Sequence, residues 1–168
     1  VTDDNVAPLY LDTVTHSLES ANFEVCTFVF NHGEQNKNIA TVMKMVKFFA
    51  ENGLTRTDIA VALGGGVCGD MCGFAAAIYL RGIRFVQMPT SLLAQVDSSV
   101  GGKTGCDLDC GKNLVGAFHH PSLVLIDADA LSTLPPSYLA DGMGEVIKTA
   151  CIRSASLAEQ LEKSGKYE

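Results

Sequence analysis

The stretch from Asp58 to Arg81 limits what this chain can fold into more than any other. It opens with the apolar run Asp58-Ile-Ala-Val-Ala-Leu63, turns through Gly64-Gly65-Gly66-Val67-Cys68-Gly69-Asp70, and continues in the helix-like Met71 to Arg81. That order is strand, glycine turn, helix. Successive glycines let the backbone approach a ligand closely, and the free N–H groups of the following helix point at whatever sits in the turn. An anion is the expected guest. Gly64, Gly66 and Gly69 also satisfy G-x-G-x-x-G in the strand-to-helix context of a dinucleotide site. An ordinary unit of this kind carries an acidic residue about 20 positions further on for the ribose. Here Val86-Gln87-Met88 stands there, so a ribose partner must lie elsewhere. The bland reading is a glycine turn that serves only close packing of strand on helix.

The flanking segments repeat the alternation. Asp3 or Asp4 can cap a helix with Val6, Leu9, Tyr10, Val14 and Leu18 on one face. Phe23 to Phe30 reads as a strand, Asn38 to Asn52 as a helix closed by Gly53, and Arg84 to Met88 as a strand stopped by Pro89. Ser91 to Val96 suits a short helical segment. Asp97-Ser98-Ser99-Val100-Gly101-Gly102-Lys103-Thr104 and Gly111-Lys112-Asn113 read as polar loops of the kind usually kept for ligands. A strand at Leu123 to Ile126 follows, and Pro135-Pro136 introduces a helix from Ser137 to Ile152. The tail to Glu168 is amphipathic through Leu157 and Leu161. Strands and helices in this alternation predict an α/β fold, a Rossmann-like parallel sheet with helices on both faces. The sheet is expected over residues 1–135, without its first strand, with the start of a second, helical domain over 136–168.

The 168 residues suffice for one good domain and are too few for two large ones. No run approaches the ~18 uncharged apolar positions a membrane span needs, so no membrane partner is expected. The opening Val1-Thr2-Asp3-Asp4-Asn5 has no basic and apolar leader, which makes a soluble, cytoplasmic protein the expectation. A net charge of −7 with no basic cluster disfavours nucleic acid. The six cysteines, in part spaced C-x-x-x-C as Cys68/Cys72 and Cys106/Cys110, read as reduced and mostly buried rather than as disulfides or metal ligands.

Parallel sheets bind ligands at the carboxyl ends of their strands. The polar segments at Glu34/Lys37, Gly64 to Asp70, Pro89 to Ser91 and Ile126 to Thr133 follow predicted strands and should line one rim. Lys103, Lys112 and Arg81 could bring cations there, although each taken singly also fits a solvated surface charge. Glu145 and Lys148, three apart on the last predicted helix, share a face. They suit either a surface ion pair or, given the small and apolar neighbours Gly142-Met143-Gly144 and Val146-Ile147, a carboxylate awaiting a metal ion.

Taken together, several strings resemble the 3-dehydroquinate synthase family of sugar-phosphate cyclases. They are Gly64 to Asp70 with Gly73-Phe74 and Tyr79-Leu-Arg81-Gly82, then Pro89-Thr90-Ser91-Leu92-Leu93-Ala94 and Val96 to Thr104. Gly111-Lys112-Asn113-Leu114, Thr133-Leu134-Pro135 and Gly144-Glu145-Val146-Ile147-Lys148 continue the match, and Gly33-Glu34-Gln35 with Lys37 extends it upstream. The resemblance covers essentially the whole chain. It implies an NAD-binding Rossmann-like domain followed by a mostly helical metal-binding domain, in an enzyme that usually dimerises. The implied reaction converts 3-deoxy-D-arabino-heptulosonate 7-phosphate into 3-dehydroquinate and phosphate, the second step of the shikimate pathway. NAD oxidises a ring hydroxyl, phosphate is eliminated, the ketone is reduced back, and an intramolecular aldol closes the ring.

Carried over by position, the resemblance assigns Glu34 and Lys37 to the adenosine ribose. Gly65, Gly66, Val67, Gly69 and Asp70 fall to the pyrophosphate and its ribose, and Thr90, Ser91, Lys103, Lys112 and Thr133 to the rest of the cofactor site. Arg81, Asp97, Lys103, Asn113 and Lys148 become substrate or catalytic contacts, and Glu145 a ligand of the divalent metal, zinc or cobalt. The family's two histidine ligands have no counterpart among His16, His32, His119 and His120. The reading is therefore a piece of a longer enzyme, inactive by itself. A sister cyclase such as 2-deoxy-scyllo-inosose synthase and a non-catalytic NAD-binding module are the rivals. Iron-dependent alcohol dehydrogenases share the architecture without the Asp97 to Lys103 loop.

Overall fold

A computed structural model describes residues 1–164, so the last four positions of the expected second segment lie outside the described residues. The regular elements are β1 (Thr2–Asp3), α1 (Asp12–Ser20), β2 (Val29–Phe30), α2 (Ile39–Glu51), β3 (Ile59–Gly64) and α3 (Gly66–Ile78). They continue with β4 (Arg84–Pro89), β5 (Lys103–Leu108), β6 (Gly111–Phe118), β7 (Leu123–Val124), α4 (Pro136–Arg153) and α5 (Ala155–Ser164). β3 pairs in parallel with β4 and β4 with β7, while β1 pairs in parallel with β2. Val1 joins the two groups: its amino nitrogen donates to the Val61 carbonyl at 2.9 Å and its carbonyl accepts from Leu63 N at 3.0 Å. The result is a parallel sheet in the order β2-β1-β3-β4-β7.

The α/β class and the parallel sheet are as the sequence predicts. Because crossovers between parallel strands are right-handed, the leftward step from β1 to β2 sends α1 to one face. The rightward steps send α2, α3 and the β5–β6 hairpin to the other. That second face holds the core. Phe85, Met45, Met71, Val42, Cys68, Cys72 and Cys106 are fully buried there, with Phe30, Phe49, Ala60, Ala62 and Tyr79 around them. Alternation along β4 sends Phe85 and Gln87 toward α3 and leaves Val86 and Met88 half-buried on the opposite side.

Several sequence expectations are corrected. Thr2 and Asp3 pair as a strand that the sequence reading did not place, two residues being too few to register in a propensity pattern. Asp3 does not cap a helix: its Oδ1 accepts from the N–H groups of Asn5 and Val6, each at 2.9 Å, in the turn ahead of the helical segment at Ala7, whose N-cap, Val6, makes no side-chain capping bond. Only Val29 and Phe30 of the expected Phe23–Phe30 strand are paired, because β1 offers two residues to pair with. The largest difference is the antiparallel hairpin β5–β6, which stands where two polar loops were expected. Three cysteines (68, 72 and 106) are buried and three (26, 110 and 151) exposed, so "mostly buried" holds for half of them; all six are free thiols. Among the described residues, no helix is long and apolar enough to cross a membrane.

Candidate functional site

The rim at the carboxyl ends of the strands is built around the first turn of α3. Helix α3 starts at Gly66, five residues earlier than the sequence suggests, so the glycine turn is itself the helix N-terminus. Its N-cap, Gly65, makes no side-chain capping bond. The first intrahelical donor is Gly69 N, to the Gly65 carbonyl at 3.1 Å, which leaves the Gly66 and Val67 amides facing the rim. A Cβ on Gly66 would lie 3.0 Å from Ser98 Oγ, and one on Gly65 3.5 Å from Ser91 Oγ. Ser98 Oγ is buried without a hydrogen-bond partner among the described residues. Gly69 answers the bland reading, because a Cβ there would meet Gln87 Oε1 at 2.6 Å. That glycine serves helix-to-strand packing, and Gly66 opens the cradle.

Around this turn the structure gathers most of the residues singled out from sequence. Lys37, 6% exposed, reaches Asp70 Oδ2 and Asn113 Oδ1, both at 2.6 Å. Burial pushes the Asp70 carboxyl above its ordinary value, and the hydrogen bond and charge of Lys37 pull the other way without cancelling it. Lys112 Nζ donates to Glu34 Oε1 at 2.9 Å on the outside of the same junction, and this bond raises the lysine's pKa. Thr90 N donates to the Gly64 carbonyl at 3.0 Å, and Ser91 Oγ accepts from Ala94 N at 3.3 Å, so both sit beside the turn. Thr133 bonds the Tyr10 hydroxyl, which also donates to the Ala130 carbonyl at 3.1 Å.

A second group lies on α4. Lys148 is paired with Glu145, and that hydrogen bond raises the ammonium pKa, with the charge of Asp97 adding to it. Asp97 comes near because α4 packs on the wide π-helical turn Ala94–Ser98; a Cβ on Gly142 would meet Leu92 Cβ at 2.7 Å.

Two predicted residues fall elsewhere. Arg81 lies in the turn after α3, before β4, at the end of the sheet opposite the rim. Thirteen helical residues, about 20 Å, separate it from the glycine turn. It therefore cannot join the rim of its own chain. Lys103 starts the hairpin opposite Phe118, at the base whose far end carries Asn113. Sequence reasoning missed Asp3, whose Oδ2 lies 3.7 Å from the position of a Cβ on Gly64. An acidic residue at the carboxyl end of a strand is the signal, and the strand was too short to see. It also missed Asp107, whose Oδ1 accepts from Asn113 N at 2.7 Å.

The family model described as 3-dehydroquinate synthase N-terminal matches residues 27–141. The chain belongs to the 3-dehydroquinate synthase family. A 3-dehydroquinate synthase of Streptococcus suis strain 05ZYH33 is 52% identical over 163 residues, covering 97% of this chain and 46% of the relative. Among solved structures it is similar to ValA, a 2-epi-5-epi-valiolone synthase from Streptomyces hygroscopicus subsp. jinggangensis 5008 with NAD+ and Zn2+ bound. The TM-score is 0.92 at 34% identity, covering 98% of this chain and 46% of that one. It is also similar to 2-deoxy-scyllo-inosose synthase complexed with carbaglucose-6-phosphate, NAD+ and Co2+, with TM-score 0.84, 32% identity and coverage of 88% and 40%. This member of the family thus spans a little under half the length of the relatives it matches.

Proposed function

We propose that this chain supplies the dinucleotide-binding part of a 3-dehydroquinate synthase, which converts 3-deoxy-D-arabino-heptulosonate 7-phosphate into 3-dehydroquinate and phosphate. The observation that carries the reading is the N-terminus of α3, without a side-chain cap, at the crest of the parallel sheet, with the Ser98 hydroxyl, unpartnered among the described residues, beside Gly66. A diphosphate satisfies such amides and suits the helix dipole. The residues fit NAD: Gly65, Gly66 and Val67 at the diphosphate, Asp70 and Glu34 at ribose hydroxyls, and Thr90, Ser91, Lys112 and Thr133 around them. When bound, NAD would supply a reversible acceptor for the hydride on the carbon of a substrate alcohol, whose hydroxyl proton leaves as the ketone forms, and that ketone would acidify the neighbouring C–H until the hydride is returned.

The chain's own residues then bind and orient the substrate. Lys148, paired with Glu145 and near Asp97, can serve as a cation for an anionic substrate group. Asn113 offers its amide from the hairpin tip and Lys103 an exposed ammonium from the base. Arg81, which cannot reach its own rim, can serve a substrate only from a second copy, and this supports a homodimer. The Zn2+ and Co2+ of the two solved relatives find one family donor here, Glu145. Among the described residues no three donors converge, so the chain does not fit the metal by itself and no step is assigned to it. The greater identity to 3-dehydroquinate synthases than to the two sister cyclases favours the first substrate. Product analysis with the full-length protein tests it: 3-dehydroquinate and one phosphate per turnover are expected, and a different carbocycle would refute the assignment.

A further inference from the structure

Resting on that reading, we propose that Lys37 is a positioning residue that ties dinucleotide binding to substrate binding through Asp70 and Asn113. Its ammonium is buried and already engaged. It donates to Asp70 Oδ2, on the first turns of α3, and to Asn113 Oδ1, on the hairpin. Because an ammonium only donates, it can face only the oxygen of the Asn113 amide. The Asn113 NH2 group is thereby turned away from Lys37 toward solvent, where it has no partner among the described residues. The same ammonium holds Asp70 by Oδ2, and Oδ1, which has no hydrogen-bond partner among the described residues, can accept from a hydroxyl. One cation thus fixes an acceptor on the cofactor side and a donor on the substrate side.

The backbone closes this arrangement into a ring. Lys37 Nζ donates to Asn113 Oδ1, Asn113 N donates to Asp107 Oδ1 at 2.7 Å, and Asp107 N donates to the Lys37 carbonyl at 2.9 Å. Asn113 holds a left-handed φ of 55°, a conformation asparagine tolerates better than other side-chain-bearing residues, and the bond from its N–H to Asp107 fixes it there. Outside the ring, Lys112 and Glu34 clamp the same two segments. A ligand that draws Asp70 toward itself therefore loads Lys37 and, through it, the setting of Asn113. Coupling of this kind is reciprocal, so each ligand should tighten the other.

The test is calorimetric titration of the full-length protein with NAD and with a non-eliminating phosphonate analogue of the proposed sugar phosphate. In the wild type, saturating NAD should tighten the analogue by roughly tenfold or more. In Lys37→Met both ligands should still bind, with NAD changing analogue affinity by less than about twofold. Coupling of wild-type size in that variant overturns the inference, as does a wild type that binds the two ligands independently. Should Lys37→Met fail to fold, the exposed Asn113→Asp serves instead. It keeps an acceptor for Lys37 but offers no N–H, so analogue affinity should fall roughly tenfold while NAD affinity stays within about twofold. Unchanged analogue affinity there overturns the inference. A wild type that binds no NAD would overturn the dinucleotide reading as well, whereas the other contrary outcomes overturn the inference alone.

Discussion

The glycine rim and the α4 helix carry the same kinds of side chain and use them differently. At the rim, a buried lysine meets a half-buried aspartate 33 positions away, and the amide of Asn113 is drawn in from 76 positions away. On α4, Glu145 and Lys148 meet across one helical turn, and the Lys148 side chain keeps 53% of its surface exposed. The first pair locks three segments of chain; the second locks nothing but itself. Burial makes the difference, since a buried charge without its partner is costly while an exposed one is screened by water.

That contrast can be broken by four measurements. The largest effect should come from Lys37→Met, which strands the Asp70 carboxylate. It should cost about 3 kcal/mol in urea unfolding, the low end for a buried pair because the Asp70 side chain is 20% exposed. Glu145→Gln should leave unfolding unchanged within error, and an equal loss in both variants would erase the distinction. Next, Gly66→Val should fill the cradle beside Ser98 and weaken NAD by roughly tenfold or more in titration, with the melting temperature little moved. Gly144→Ala on α4, where nothing lies within 4 Å of the new Cβ, should stabilise by about 0.5–1 kcal/mol, read from the shift in urea midpoint.

The smallest effect is in titration. Asp70 should titrate above 3.8 in carboxyl NMR, and higher still in Lys37→Met. Its folded form holds the proton more tightly than the unfolded chain, so its contribution to stability is present below 3.8 and lost as pH rises through the raised value. Lys148, likewise raised, should titrate above 10.5, with its contribution lost as pH rises past that value.

What was legible in the sequence follows the same division. The strand, glycine turn and helix at Asp58–Arg81 were readable because each signal is local. Helix α2 was placed to within a residue at each end because Asn38 caps it, accepting from Thr41 N at 3.0 Å. The β5–β6 hairpin was not readable. Its strands cross so closely at Gly105 and Gly116 that a side chain on either would run into the opposite backbone, and glycine within a strand looks like a loop. The start of α3 was misread for a related reason, since glycines that keep amides free for a ligand are poor helix formers. Resemblance could nominate Lys37, Asp70 and Asn113 singly; that they form one hydrogen-bonded unit is a tertiary fact. Arg81 shows the converse, a matching motif residue that the fold carries to the far end of the sheet.

The most direct measurement is a crystal structure of the full-length protein with NAD. The account predicts the diphosphate within hydrogen-bonding distance of the Gly66 and Val67 amides, with Lys37 still bound to Asp70 and Asn113. A diphosphate seated away from the first turn of α3 would contradict it.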